Sequence, residues 1–199
     1  MSVYVIRHAD KEKGEFRNNN LPLNDQPIDQ IGQGKALRLK DYFIDIEISQ
    51  IIASEYVRTK QTIHYVAEDK NLQIAIDYRL NEINIGDLEN INEETLPALY
   101  PEFWSAYLSR DRDFRFPNGE SGVEAEGRIW DLFNSLDKDS NTILVSHDGI
   151  IRVLLCKICG IPSYKRHLFT MDYCSINQFD YDKQFNCWTI KKVNYVMEA

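Results

Sequence analysis

Val3-Tyr4-Val5-Ile6-Arg7-His8-Ala9 decides how this chain is read. Four residues of strong β preference follow one another without a polar break. That is the pattern of a strand covered on both faces, and such strands belong to parallel sheets flanked by helices. Arg7-His8 stands at the carboxyl end of the run, the edge of an open α/β sheet where ligands bind.

Outward from that strand, a long polar loop carries Asn18-Asn19-Asn20. Asp29 is expected to cap a helix reaching about residue 43, with Ala36, Leu37 and Phe43 turned inward. Ile51-Ile52-Ala53 reads as a second buried strand. Ser54 or Glu55 opens the next helix, through Thr62, Ile63, Val66 and Ala67, and residues 72–76 form a third strand. Residues 84–115 differ, being rich in aromatic and charged side chains and interrupted by Pro97 and Pro101. They are expected to form short helices that cap one end of the sheet.

Pro117-Asn118-Gly119 is a turn signal, and Ser121-Gly122-Val123-Glu124 is a capping box for a helix through Ile129, Leu132, Phe133 and Leu136. Thr142-Ile143-Leu144-Val145 is another buried strand. The apolar stretch 149–159 is a helix stopped by Gly160 and Pro162. Residues 176–181 and 188–193 pair as strands around a turn near Asp182-Lys183. The alternation predicts an α/β three-layer sandwich: a mostly parallel central sheet flanked by helices, one domain over residues 1–199, with a small helical cap inserted at about 84–116.

Composition narrows the function. At 199 residues the chain suits one domain with a real core. A net charge of -8 argues against a nucleic-acid partner, yet a few converging arginines still make a local anion pocket. No apolar run is long enough to span a bilayer. Met1 to His8 lacks the features of a signal peptide, so a cytoplasmic location is expected. Cys156, Cys159, Cys174 and Cys187 read as free thiols. The Cys156–Cys159 spacing lies in an apolar helix, without the second close pair that zinc sites bring.

Four groups fall at predicted strand ends: Arg7-His8, Arg58, Glu82 and His147. If the sheet is parallel they converge on one rim, as an anion clamp with a carboxylate beside it. A neutral imidazole is a good nucleophile, Arg forks match the oxygens of a transferring phosphoryl group, and a carboxylic acid can protonate a leaving alkoxide. That set fits phosphoryl transfer through a covalent intermediate.

Six segments in order resemble the histidine phosphatase superfamily, the phosphoglycerate mutase-like family. Val5-Ile6-Arg7-His8-Ala9 resembles its opening Arg-His-Gly motif. Asp25-Gln26-Pro27-Ile28-Asp29-Gln30-Ile31-Gly32-Gln33-Gly34-Lys35-Ala36 is similar to its D-x-P-L-T-x-x-G-x-x-Q-A stretch. Ala53-Ser54-Glu55-Tyr56-Val57-Arg58-Thr59-Lys60-Gln61-Thr62 resembles S-S-x-x-x-R-x-x-Q-T. Leu80-Asn81-Glu82-Ile83-Asn84-Ile85-Gly86-Asp87-Leu88-Glu89 resembles L-x-E-x-x-x-G-x-x-E. Pro117-Asn118-Gly119-Glu120-Ser121 and Val145-Ser146-His147-Asp148-Gly149-Ile150-Ile151-Arg152 resemble P-x-G-E-S and V-S-H-x-G-x-x-R. Ala9 stands where glycine is usual, and Asn90 where a glycine often follows the second glutamate.

The resemblance implies a phosphoglycerate mutase-like fold, His8 as nucleophile, Glu82 as proton donor, and no metal or cofactor. Arg7, Arg58 and His147 would hold the phosphoryl group, with the Gly149 amide and Asn18 as further phosphate contacts. Asp87 and Glu89 stand close enough to compete with Glu82 as the acid. His64 and His167 are assigned to surface or packing, Arg152 to a structural pairing, and Glu120 to a bond with His147 or to solvent.

The expected activity is hydrolysis of a small phosphorylated metabolite by a metal-independent phosphomonoesterase. A phosphoglycerate mutase-type transfer, a phosphohistidine phosphatase and a non-catalytic phosphate-binding module are the alternatives. Family mutases usually are longer and carry an extra basic segment; the region from Ile91 to Arg115 is shorter and shows no close match to it. The expected partner is a small phosphorylated substrate, with no nucleic acid and no membrane; a homodimer is left open.

Overall fold

The opening apolar run forms β1 (Ser2–Arg7) in the computed structural model, which describes residues 1–197. Alternate side chains of β1 feed two different cores. Val3 and Val5 pack with Ile129, Phe133, Ile150 and Leu154, whereas Tyr4 and Ile6 pack with Ala36, Phe43, Ile63 and Val66. A strand sandwiched in this way has no solvent face, which is why its sequence shows no polar alternation.

The remaining strands are β2 (Gln50–Ala53), β3 (Ile74–Ile76), β4 (Thr142–Ser146), β5 (Ile176–Asp182) and β6 (Cys187–Tyr195). They form one six-stranded sheet in the order β3-β2-β4-β1-β5-β6. The pairs β2·β3, β2·β4 and β1·β4 are parallel, and β5 is antiparallel to both β1 and β6. Helices α1 (Gln30–Phe43) and α2 (Val57–Lys70) cover one face. Helices α5 (Gly122–Ser135) and α6 (Asp148–Cys159) cover the other. The sheet is thus mostly parallel between two helical layers, as the strand–helix alternation predicts.

Both expected helix starts with side-chain caps are present. Asp29 accepts from the Gly32 amide, and Ser121 and Glu124 form a reciprocal capping box. Three local expectations are corrected. Leu37 is exposed and Leu39 takes the inward place, because the buried positions of α1 are Gly32, Ala36, Leu39 and Phe43. The third strand begins at Ile74, since Asn71 in the left-handed region ends α2 and the Leu72 amide bonds back to the Ala67 carbonyl. Helix α2 starts at Val57, because the Ser54 hydroxyl is bonded to Thr59 and His147 rather than to the helix end.

Residues 84–116 hold short 3-10 turns at Gly86–Glu89 and Glu93–Thr95, then α3 (Leu96–Leu99) and α4 (Pro101–Ser109). Pro97 and Pro101 sit in the first turns of α3 and α4, where a missing amide costs nothing. Phe103, Phe114 and Phe116 pack ring on ring at 5.4–5.6 Å and join this segment to the core. Gly86 has φ +55°, and a Cβ there would lie 2.0 Å from the Pro117 carbonyl oxygen, so the two loops can meet only at a glycine.

Candidate active site

Because β1, β2 and β4 run the same way, their carboxyl ends share one rim. Backbone bonds pin those ends together: the His8 amide donates to the Ser146 carbonyl at 3.0 Å, and the Ser54 amide to the Val145 carbonyl at 3.1 Å. His8, Arg58 in the first turn of α2, and His147 just before α6 are thereby brought into one cluster.

His8 is 4% exposed, and its ring lies 5.1 Å from that of His147. Its Nδ1 is 2.8 Å from the Ala9 carbonyl oxygen. A carbonyl only accepts, so Nδ1 carries the proton and Nε2 of the neutral ring keeps its lone pair. Burial, then the Arg58 and Arg7 charges, holds the His8 pKa well below its ordinary 6.5. The ring is therefore neutral and nucleophilic through the neutral range.

Two guanidinium groups flank it. Arg58, 3% exposed, donates to the Asn24 carbonyl (3.1 Å) and to His147 Nδ1 (3.2 Å). Arg7 donates to the Met171 carbonyl and lies 4.0 Å over the Tyr173 ring. The Nε–H groups of both arginines are buried without a hydrogen-bond partner among the described residues. A buried donor left unmade costs about 1–3 kcal/mol. The two guanidinium groups beside one imidazole fit an anion that accepts from their terminal N–H groups.

His147 is fully buried, and both its ring nitrogens are engaged. Nδ1 accepts from Arg58, and Nε2 meets the Ser54 hydroxyl at 2.8 Å. Ser54 in turn reaches Thr59 at 3.0 Å. Burial and the Arg58 charge hold the His147 pKa well below the ordinary value. Tyr56 closes the cluster, with Arg58 4.2 Å over its ring and its edge against His147.

Glu82 stands apart from the cations. Its Oε1 accepts from the Ile83 amide (2.9 Å), and its Oε2 from the Gly149 amide (3.2 Å). Burial raises its pKa despite those two donors. A Cβ on residue 149 would lie 2.6 Å from Glu82 Oε1, so the approach requires glycine. The Glu82 carbonyl accepts from Arg128, which pairs with Glu120 at 2.8 Å. Glu120 thus braces the Glu82 loop and makes no bond to His147.

The other carboxylates are committed elsewhere. Asp87 accepts from the Tyr100 hydroxyl and from Asn118, and Glu89 from Asn24. Asn18 donates to Asp25, which caps the Val57 amide, and it lines a separate cleft of about 160 Å³. The Gly149 amide, expected on phosphate, is on Glu82.

A cavity of about 350 Å³ opens at Glu82 and Gly149. An open depression of about 680 Å³ beside α4 touches none of the strand-end residues. Among the described residues no group of three His, Cys, Asp or Glu side chains is placed to hold a metal ion. None of the described helices is long and apolar enough to cross a membrane.

Sequence reasoning missed Tyr173, Arg128 and the tie of Ser54 to His147. Ser54 had a signal, lying in the quoted stretch before Arg58. Tyr173 sits in a loop without periodicity and carried none.

The sequence pattern of the histidine phosphatase superfamily (branch 1) matches residues 3–196. A protein named "Probable phosphoglycerate mutase GpmB" from Proteus mirabilis is 29% identical over 197 residues, covering 96% of this chain and 91% of its own length. The α-ribazole phosphatase from Shigella flexneri superposes with a TM-score of 0.80 at 23% identity, over 98% of this chain and 96% of its own. A mycobacterial glucosyl-3-phosphoglycerate phosphatase solved with inorganic phosphate gives 0.78 at 20% identity, over 98% and 97%.

Proposed function

Since the chain belongs to the histidine phosphatase superfamily (branch 1), we propose that it is a metal-independent phosphomonoesterase acting on a small phosphorylated substrate through His8. The observation that carries this reading is the pair of guanidinium groups, Arg7 and Arg58, beside a neutral, buried imidazole.

In the first step His8 Nε2 attacks phosphorus as the ester P–O bond breaks. Arg7 and Arg58 hold the equatorial oxygens, and the departing alkoxide takes the proton of Glu82. Burial keeps that proton on the carboxyl above the usual carboxylate range. In the second step the Glu82 carboxylate takes a proton from water, the water oxygen bonds to phosphorus, and the P–N bond breaks to restore His8. His147 steadies Arg58. With Nδ1 accepting from Arg58, the His147 ring carries its proton on Nε2 and donates it to the Ser54 hydroxyl.

The test is the rate of p-nitrophenyl phosphate hydrolysis in His8→Ala. Loss of a nucleophile of this kind is expected to cost about 10⁴-fold or more; retained turnover would refute the reading. The name of the Proteus mirabilis relative favours a second reading, phosphoryl transfer within a phosphoglycerate. Incubation with phosphoglycerates separates the two: free phosphate supports hydrolysis, and an isomerised ester supports transfer.

A further inference from the structure

The cavity that opens at Glu82 has two kinds of wall. Ile83, Phe114 and Phe116 make one side apolar, whereas Arg110, Arg152 and Arg166 make the other cationic. Of the two carboxylates in its lining, Asp148 is bonded to Arg152 at 2.7 Å, and burial raises the Glu82 pKa. Arg110 and Arg166 have no ion-pair partner among the described residues, although surface arginines elsewhere in the chain do.

Arg166 and Arg152 are fixed in place. The Arg166 guanidinium lies 5.0 Å over the Phe114 ring and donates to the Ser163 carbonyl. Its own backbone carbonyl accepts from Arg152 Nε at 3.0 Å, which ties the two residues to each other. Asp148 already offsets Arg152, so the uncompensated charge lies on Arg166, and a further anion in the cavity is drawn to it. A cavity of about 350 Å³ is also large enough to take the alcohol part of a small ester.

We infer that the alcohol part of the substrate carries an apolar body and a second acidic group, the body seated on Phe114 and Phe116 and the acid taken by Arg152 and Arg166. This rests on the phosphatase reading of the same site and names its substrate class. The cavity starts at the proposed proton donor, so whatever fills it is the leaving group and not the phosphoryl group.

The experiment compares kcat/KM for phenyl phosphate, 4-carboxyphenyl phosphate and hydroquinone bisphosphate in the full chain. One of the two acid-bearing esters is expected to exceed phenyl phosphate by about tenfold or more, and which one does so tells carboxylate from phosphate. Arg166→Gln should collapse that ratio toward one, chiefly through KM. Arg152→Gln provides the same readout should Arg166→Gln fail to fold. Hydrolysis of phenyl phosphate with no gain from either acid overturns this inference and leaves the phosphatase reading standing, as does a gain that both variants leave intact. No phosphate released from any ester overturns both.

Discussion

The proposed phosphoryl side of the site and the proposed leaving-group side are built differently. His8, Arg58 and His147 are nearly or fully buried, and backbone bonds tie the ends of β1, β2 and β4 beneath them. The leaving-group side is assembled from loops and short helices. Asn84, Asp87, Pro117 and Glu120 latch the loops to one another, and Arg110 sits exposed at an αL turn. On the proposed reading the difference assigns chemistry to the strand ends, where positions cannot drift, and selectivity to the wall that Phe114 of the cap shares with Arg152 of α6 and Arg166. Substitutions at the two sides should therefore fail in different ways.

On the phosphoryl side, Arg58→Ala should lower kcat by about 100- to 1000-fold, the usual loss of a donor aimed at developing charge. Because Arg58 and His147 are bonded to each other, the double variant with His147→Ala should lose much less than the product of the two single losses. Independent losses in that cycle would mean that the two residues do not act as one clamp.

Glu82 stands where the two sides meet. Glu82→Gln should slow esters with poor leaving groups by about 100-fold while sparing those with good ones. The pH profile gives the sign. Activity on poor leaving groups falls as pH rises through the raised Glu82 pKa, because the acid loses its proton, and Glu82→Gln flattens that limb. The acid limb lies below the ordinary histidine value of 6.5, because His8 resists protonation. Equal loss on all leaving groups would place the acid elsewhere.

The smallest effect is expected at Tyr173, whose ring lies under Arg7 and beside His8. Tyr173→Ala should raise KM a few-fold, up to about tenfold, by removing a cation–π contact, and Tyr173→Phe should restore most of it. A loss in Tyr173→Phe as deep as in Tyr173→Ala would show that the hydroxyl, not the ring, is what matters.

The sequence by itself determined the layering and the catalytic rim. An unbroken apolar strand is a local signal of burial on both faces; Arg7-His8 and His147 sit one or two residues past such a run, and Arg58 sits in the first turn of the helix that follows one. Parallel strands bring those ends together wherever the intervening chain goes. The sequence did not determine that Leu39 and not Leu37 faces inward, that Gly149 serves Glu82, that Asn18 donates to Asp25, or that Arg152 and Arg166 share a wall with Phe114. Those contacts join residues far apart in the chain or depend on helix rotation. They have no period to read, so the packing of loops and helices in three dimensions decided them.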